Sequence, residues 1–93
     1  PVVSVIPYAN EDEALAICNG TAYGLGGAVF TSDPERGMAI ARRMEAGVVG
    51  INRYTLHIDA PFGGVKGSGL GRELGPEGLA AFLETKSIFP PQQ

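Results

Sequence analysis

Few residues of this chain could do chemistry by type: one cysteine, one histidine and a carboxylate at the end of a glycine run. Cys18 has the atoms of a nucleophile. It falls on the apolar stripe of an amphipathic helix with no histidine expected beside it, so it reads as a buried small hydrophobe. His57, the sole histidine, follows an apparent strand, where functional side chains of parallel sheets gather. A single imidazole makes neither a metal site nor a triad, so His57 either touches a substrate or is a solvated loop residue. Glu73 stands beside Arg72 after the glycine run rather than on a repeating charged face. A carboxylate held near a cleft can accept or pass a proton; the competing reading is a structural ion pair with Arg72 or another base.

The run Gly63-Gly64-Val65-Lys66-Gly67-Ser68-Gly69-Leu70-Gly71-Arg72 invites comparison with an anion cradle made of backbone amides. The spacing argues against it. In a P-loop, lysine is followed by Ser or Thr, whereas Lys66 is followed by Gly67; a dinucleotide fingerprint directly follows a strand, whereas this run follows a loop. The glycines read instead as positions where the backbone takes left-handed turns and packs closely. Asn19-Gly20-Thr21 is formally a glycosylation sequon, without a secretory signal to give it meaning.

The elements that must hold these residues follow from periodicity. Val2-Val3-Ser4-Val5-Ile6 is a β-branched run stopped by Pro7, expected to be a buried strand. Asn10 caps a helix with Glu13 three residues on, Ala14, Ile17, Cys18 and Thr21 form its inward stripe, and Asn19-Gly20 gives a left-handed end. Gly26 to Phe30 is a second strand, and Ser32-Asp33-Pro34-Glu35 opens a second helix with Gly37, Ile40, Ala41 and Met44 inward and Gly47 closing it. Val48 to Ile51 is a third strand. Strand, helix, strand, helix, strand at this spacing predicts an α/β fold with a parallel βαβαβ sheet. Asn52 to Gly75 reads as a long loop, uncommon unless it serves a function. A last helix is expected from about Pro76 to Leu83 with Leu79, Phe82 and Leu83 on one face, then a short strand from Thr85 to Phe89 with no partner in the chain. Such a strand suits addition to another subunit's sheet.

Ninety-three residues, 44% apolar, bury about 60 to 65% of their unfolded surface even when compact, and fourteen glycines raise the entropy lost on folding. The segment is expected to need neighbours. A net charge of -3 and a pI near 4.9 give no electrostatic reason for nucleic acid or an anionic membrane as partner. A lone thiol makes no internal disulfide, which points to the cytoplasm, and no stretch reaches the roughly 20 apolar residues of a membrane span. The start at Pro1, without Met and apparently inside a strand, suggests that the natural N-terminus lies elsewhere.

Gly50-Ile51-Asn52, followed after a loop by Pro61-Phe62-Gly63-Gly64-Val65-Lys66-Gly67-Ser68-Gly69-Leu70-Gly71-Arg72-Glu73, resembles the C-terminal signature of the NAD(P)-dependent aldehyde dehydrogenase superfamily. Pro1-Val2-Val3, Tyr23-Gly24-Leu25 and Glu84-Thr85-Lys86 are similar to family segments along the rest of the chain. The resemblance implies an oxidoreductase that converts an aldehyde to a carboxylic acid, with hydride passing to NAD or NADP from a thiohemiacetal on a cysteine. That cysteine, the general base and the nucleotide-binding domain belong to upstream segments; Cys18 matches none of them, so this segment alone is expected to be inactive and to hold no cofactor-binding residue. In the family the loop after the Ile51-Asn52 strand lines the aldehyde entrance, which makes Tyr54, Leu56, His57 and Ile58 wall candidates, with Phe62 close to the reacting carbon. Such a wall orients substrate and excludes water. Glu73 matches a proton-relay position, and Lys66 and Gly69 match positions whose backbone carbonyls bind potassium in some members. Residues 1–84 would complete the catalytic α/β domain and 85–93 form an oligomerisation tail. The partners implied are the rest of the subunit, a homo-oligomer and a small aldehyde. The alternative is a stand-alone, non-catalytic oligomerisation module derived from the family.

Overall fold

Asn10 begins the first regular element. Its backbone is extended (φ -155°, ψ 171°), and its Oδ1 accepts the Glu13 amide at 3.0 Å while the Glu13 carboxylate accepts the Ala9 amide at 2.7 Å. Two otherwise orphaned donors are thereby met at the start of helix α1, Glu11–Asn19, whose first turn carries three acids against the positive helix end. The computed structural model describes residues 1–92.

At the other end of α1 the expected left-handed cap is not formed: Gly20 has φ -74°. The helix-end carbonyls are met from afar instead. Lys66 Nζ donates to the Asn19 carbonyl at 2.8 Å and to that of Thr21 at 3.4 Å. Asn19 spends its own carboxamide on the turn after the second helix, donating to the Arg43 carbonyl and accepting the Glu45 amide, both at 2.9 Å. A cation at the helix C-terminus does here what a chain reversal does elsewhere.

The α/β class holds, with parallel pairing confined to one crossover among the described residues. Strand β2, Gly26–Val29, pairs in parallel with β3, Val48–Ile51, and helix α2, Pro34–Ala41, connects them. Asp33 Oδ1 accepts the amides of Glu35 and Arg36 at 3.0 and 3.1 Å, with Pro34 in the first turn, as the sequence predicts. Gly37 is buried, and Ile40, Ala41 and Met44 are half-buried, so the inward stripe is confirmed. The helix itself stops earlier than Gly47: after Ala41 the Arg43 and Met44 amides bond three residues back, tightening the chain toward β3.

The α1 stripe is shifted from its expected place. Leu15, 5% exposed, is the one buried apolar side chain among the described residues, while Ile17, Cys18 and Thr21 are exposed and Ala14 is half-buried. Cys18 is therefore not a buried hydrophobe here: it borders an open cleft of about 480 Å³ between α1, α2 and β2, with Tyr8, Leu15, Ile40 and Met44. The ion pairs Arg36–Glu11 and Arg43–Asp12 tie α1 to α2 and to the turn after it across exposed surface, where such pairs orient more than they stabilise.

The loop expected from Asn52 to Gly75 contains paired backbone. Strand β4, Val65–Lys66, runs antiparallel to β1, Tyr23–Gly24, and Phe62 bridges Glu73. Helix α3 is shorter than expected, Gly75–Ala80, with Leu79, Phe82 and Leu83 exposed. Val2 to Ile6 and Thr85 to Phe89 form no ladder among the described residues, although their side chains suit strands. β propensity prepares a segment for pairing but does not supply the facing strand. No described helix is long and apolar enough to cross a membrane.

The chain spans 67 × 30 × 23 Å with a radius of gyration of 18.3 Å, against about 12 Å for a compact chain of this length. It exposes 7744 Å², where a compact protein of this mass exposes about 5,100 Å². Such shallow burial does not offset the entropy of ordering the backbone. The 93-residue chain produced alone should show narrow amide dispersion and concentration-dependent association in NMR and size exclusion; a sharp, stable monomer would contradict this.

Candidate functional site

Asn52 sets the direction of the loop that follows β3. It lies directly after β3 in the left-handed region (φ 56°), donates its amide to the Val29 carbonyl at 2.8 Å, and clamps Thr31 with its side chain. Oδ1 accepts the Thr31 amide and Nδ2 donates to the Thr31 carbonyl, both at 2.8 Å. Asparagine tolerates this backbone region better than most residues. The chain then folds back over β3, so close that a Cβ on Gly50 would penetrate the Arg53 carbonyl oxygen.

The loop it launches holds four of the sequence-derived wall candidates. Tyr54, Leu56, His57 and Ile58 are all exposed, but they are not equivalent. The Tyr54 phenol lies on Gly26 of β2. His57 faces Asp59, its Nδ1 accepting the Asp59 amide at 3.3 Å with the carboxylate at 3.7 Å, while its carbonyl closes a turn with the Ala60 amide. The Ile58 carbonyl accepts the Gly75 amide at 2.9 Å, which ties this loop to the start of α3.

Phe62 and Glu73 are brought together by the backbone. Each donates its amide to the other's carbonyl at 2.7 Å, a hydrogen-bonded antiparallel pair. Residues so paired project to the same face with Cβ atoms about 5 Å apart. Phe62 is half-buried and Glu73 exposed. The competing reading, an ion pair between Glu73 and Arg72, is not formed: Arg72 Nη1 donates instead to the carbonyls of Gly64 at 2.9 Å and Gly71 at 2.7 Å. Among the described residues no cation pairs with the Glu73 carboxylate. It is a free acceptor mounted on a fixed backbone.

Lys66 and Gly69 lie at the opposite end of the glycine run. Lys66 is left-handed (φ 54°), pairs with Glu45 and holds the end of α1 with its ammonium. Its carbonyl accepts the Gly69 amide at 3.5 Å. Two carbonyls of one turn fall short of the oxygen shell a potassium ion needs, and the described residues contain no cluster of three His, Cys, Asp or Glu for a metal. The glycine run is not a bare row of amides either: those of Gly67, Ser68, Gly69 and Glu73 are donated within the chain. Its packing is tight enough that a Cβ on Gly47 would meet the Gly63 carbonyl oxygen inside van der Waals contact.

Three features that shape this region escaped the sequence reading: the Asn52 clamp, the Arg72 latch and the bare surface at Gly26. Asparagine immediately after an apolar strand was the available signal for the first. The other two depend on contacts between distant residues and leave no local pattern.

A family model described as Aldehyde dehydrogenase family matches residues 1–88. A geranial dehydrogenase of Castellaniella defragrans is 55% identical over 89 residues, covering 96% of this chain and 19% of its own length. The chain superposes on an aldehyde dehydrogenase C of Pseudomonas syringae, solved as a mutant with NAD+ and octanal, with a TM-score of 0.88 and 47% identity over 95% of this chain and 19% of that one. It superposes on a succinic semialdehyde dehydrogenase of Streptococcus pyogenes, solved with NADP+, with a TM-score of 0.87 and 40% identity over 91% and 19%. The chain thus spans about a fifth of the length of the proteins it matches.

Arg72→Lys keeps the charge but cannot reproduce a guanidinium bridging two carbonyls. Hydrogen exchange of a full-length subunit carrying this segment should speed up by on the order of tenfold at residues 67–73, for about 1.4 kcal/mol of lost local stability, and stay unchanged in β3.

Proposed function

The chain belongs to the aldehyde dehydrogenase family, and on that premise we propose that residues 1–84 complete the catalytic α/β domain of a subunit that oxidises an aldehyde to a carboxylic acid with NAD or NADP. The observation that carries the reading is the Phe62–Glu73 pair, which puts an aromatic ring and a carboxylate with no cation beside it among the described residues on one face. Relatives solved with NAD+ and octanal or with NADP+ support the cofactor and substrate class.

In this reading Phe62, Leu56, His57 and Ile58 form part of the aldehyde wall, with Tyr54 at its base. Apolar side chains there orient the acyl group and limit water to the molecule that will react. The acyl group is carried as a thioester by a cysteine outside this segment, since Cys18 borders a different cleft behind the sheet. The dinucleotide supplies the hydride acceptor and is held by other parts of the subunit. Glu73 acts in the second half of the reaction. A water attacks the acyl carbon, its proton passes to Glu73 and on to solvent, the carbon–sulfur bond breaks, and the carboxylic acid leaves with the thiolate restored. The Lys66–Gly69 turn would add at most two carbonyls to a potassium shell completed elsewhere, and no step runs through it.

Residues 85–93 serve in this proposal as an oligomerisation tail. Ile88 and Phe89 are 82% and 90% exposed and follow an uncovered α3 face, which suits addition to a partner subunit of a cytoplasmic homo-oligomer.

Glu73→Gln in the full-length subunit should retain the first burst of reduced dinucleotide while steady-state turnover falls by on the order of 10²-fold. Acyl-enzyme should accumulate and be detectable by mass spectrometry. Unchanged deacylation would remove the relay role.

A further inference from the structure

Strand β2 opens with two glycines, and each bares a different face of the sheet. A Cβ on Gly27 would meet Met44 Cε at 2.6 Å, on the helix side. A Cβ on Gly26 would strike the Tyr54 hydroxyl and lie 2.8 and 2.9 Å from its Cε2 and Cζ. The Tyr54 ring therefore occupies the volume that any other residue at position 26 would fill. Tyr54 is 50% exposed, and its hydroxyl makes no hydrogen bond among the described residues, so the contact is one of ring against bare backbone.

Four residues on, the Ile58 carbonyl is fixed by the Gly75 amide at 2.9 Å. The span between, with Leu56 at its centre, hangs from two anchors: a ring seated on a sheet at one end and a backbone hydrogen bond at the other. A three-residue span with both ends fixed has few conformations left.

We propose that Tyr54 is a positioning residue for the aldehyde wall: seated on Gly26, its ring fixes the path of residues 55–57 and thereby the apparent affinity for the aldehyde. The proposal rests on the reading of this loop as the aldehyde wall. The pair works as a lock and its recess. A methyl group at position 26 lifts the ring; because Cε2 and Cζ lie within 3.0 Å of it as well as the hydroxyl, only removal of the whole ring makes room for that methyl group.

The test uses a full-length subunit carrying this segment, with octanal and propanal as probes and NAD+ as acceptor. Gly26→Ala should raise the KM for octanal by on the order of tenfold, since small displacements of positioning groups carry costs of this size. The KM for NAD+ should be unchanged, which a general loss of structure would not allow. The Gly26→Ala/Tyr54→Ala double variant should be no more impaired than Tyr54→Ala alone, because the three atoms nearest the added methyl group all belong to the Tyr54 side chain. Tyr54→Ala, which leaves the strand intact, should reproduce the single Gly26→Ala effect. A Gly26→Ala variant with unaltered octanal KM, or a double variant in which the two single losses multiply, overturns the proposal. Leu56→Ala separates the two levels. If it raises the octanal KM while Tyr54→Ala does not, the wall stands and the anchor falls; if neither does, the wall reading falls and takes the anchor with it.

Discussion

Where β3 ends, the Asn52 carboxamide carries the sheet one rung further than its backbone can. The chain at φ 56° has already turned away, leaving the Thr31 amide and carbonyl facing a strand that is no longer there. A carboxamide has one donor and one acceptor in nearly the geometry of a peptide group, so two bonds of 2.8 Å satisfy both groups at once. The left-handed turn and the clamp require each other. Without the turn the side chain would continue along the strand direction, and without the clamp the end of β2 would lose its partner. The path of residues 53–60 over Gly50 follows from this single residue.

The rest of the segment is fastened in the same manner, by polar groups acting on backbone. Asn19 holds the 43–45 turn, Lys66 holds the end of α1, and Arg72 holds the carbonyls of Gly64 and Gly71. Hydrogen bonds of this kind each contribute about 0.5–1.5 kcal/mol net, but their directionality fixes positions that apolar contacts leave loose. Leu15, the one buried apolar side chain among the described residues, cannot organise them alone. The shape depends on these fastenings, while Val2, Ile6, Phe82 and Phe89 stay exposed.

What could be read from the sequence was what local chemistry decides. The Asn10–Glu13 cap, the Asp33-Pro34 start and the Ile40 stripe involve residues within one or two turns of each other, and the βαβ crossover follows from their order. The motif from Pro61 to Glu73 carried the family. What could not be read depends on distant partners. Gly20 looked like a left-handed cap because nothing near it shows that Lys66, 46 residues later, supplies the charge instead. Cys18 looked buried because an amphipathic stripe specifies a face, not what covers it. Val2 to Ile6 looked like a strand on propensity alone, and the Phe62–Glu73 bridge was hidden because glycine-rich segments show no alternation.

The Phe62–Glu73 pair also explains why a site would be built on such glycine-dense backbone. A carboxylate on a flexible loop samples many positions, and proton transfer requires heavy atoms within about 3 Å of each other. Glycines let backbone segments approach until the Cα of one lies against the carbonyl of the other, as those of Gly47 and Gly63 do, and that contact removes freedom at the level of the main chain. Arg72 then spans the run from inside, so the residue before Glu73 is fixed by its side chain and Glu73 itself by its backbone. The carboxylate keeps only its own rotamers, while the aromatic opposite shares its frame. In the proposed reaction, wall and relay therefore move as one unit, and any displacement of the acyl pocket carries the proton acceptor with it.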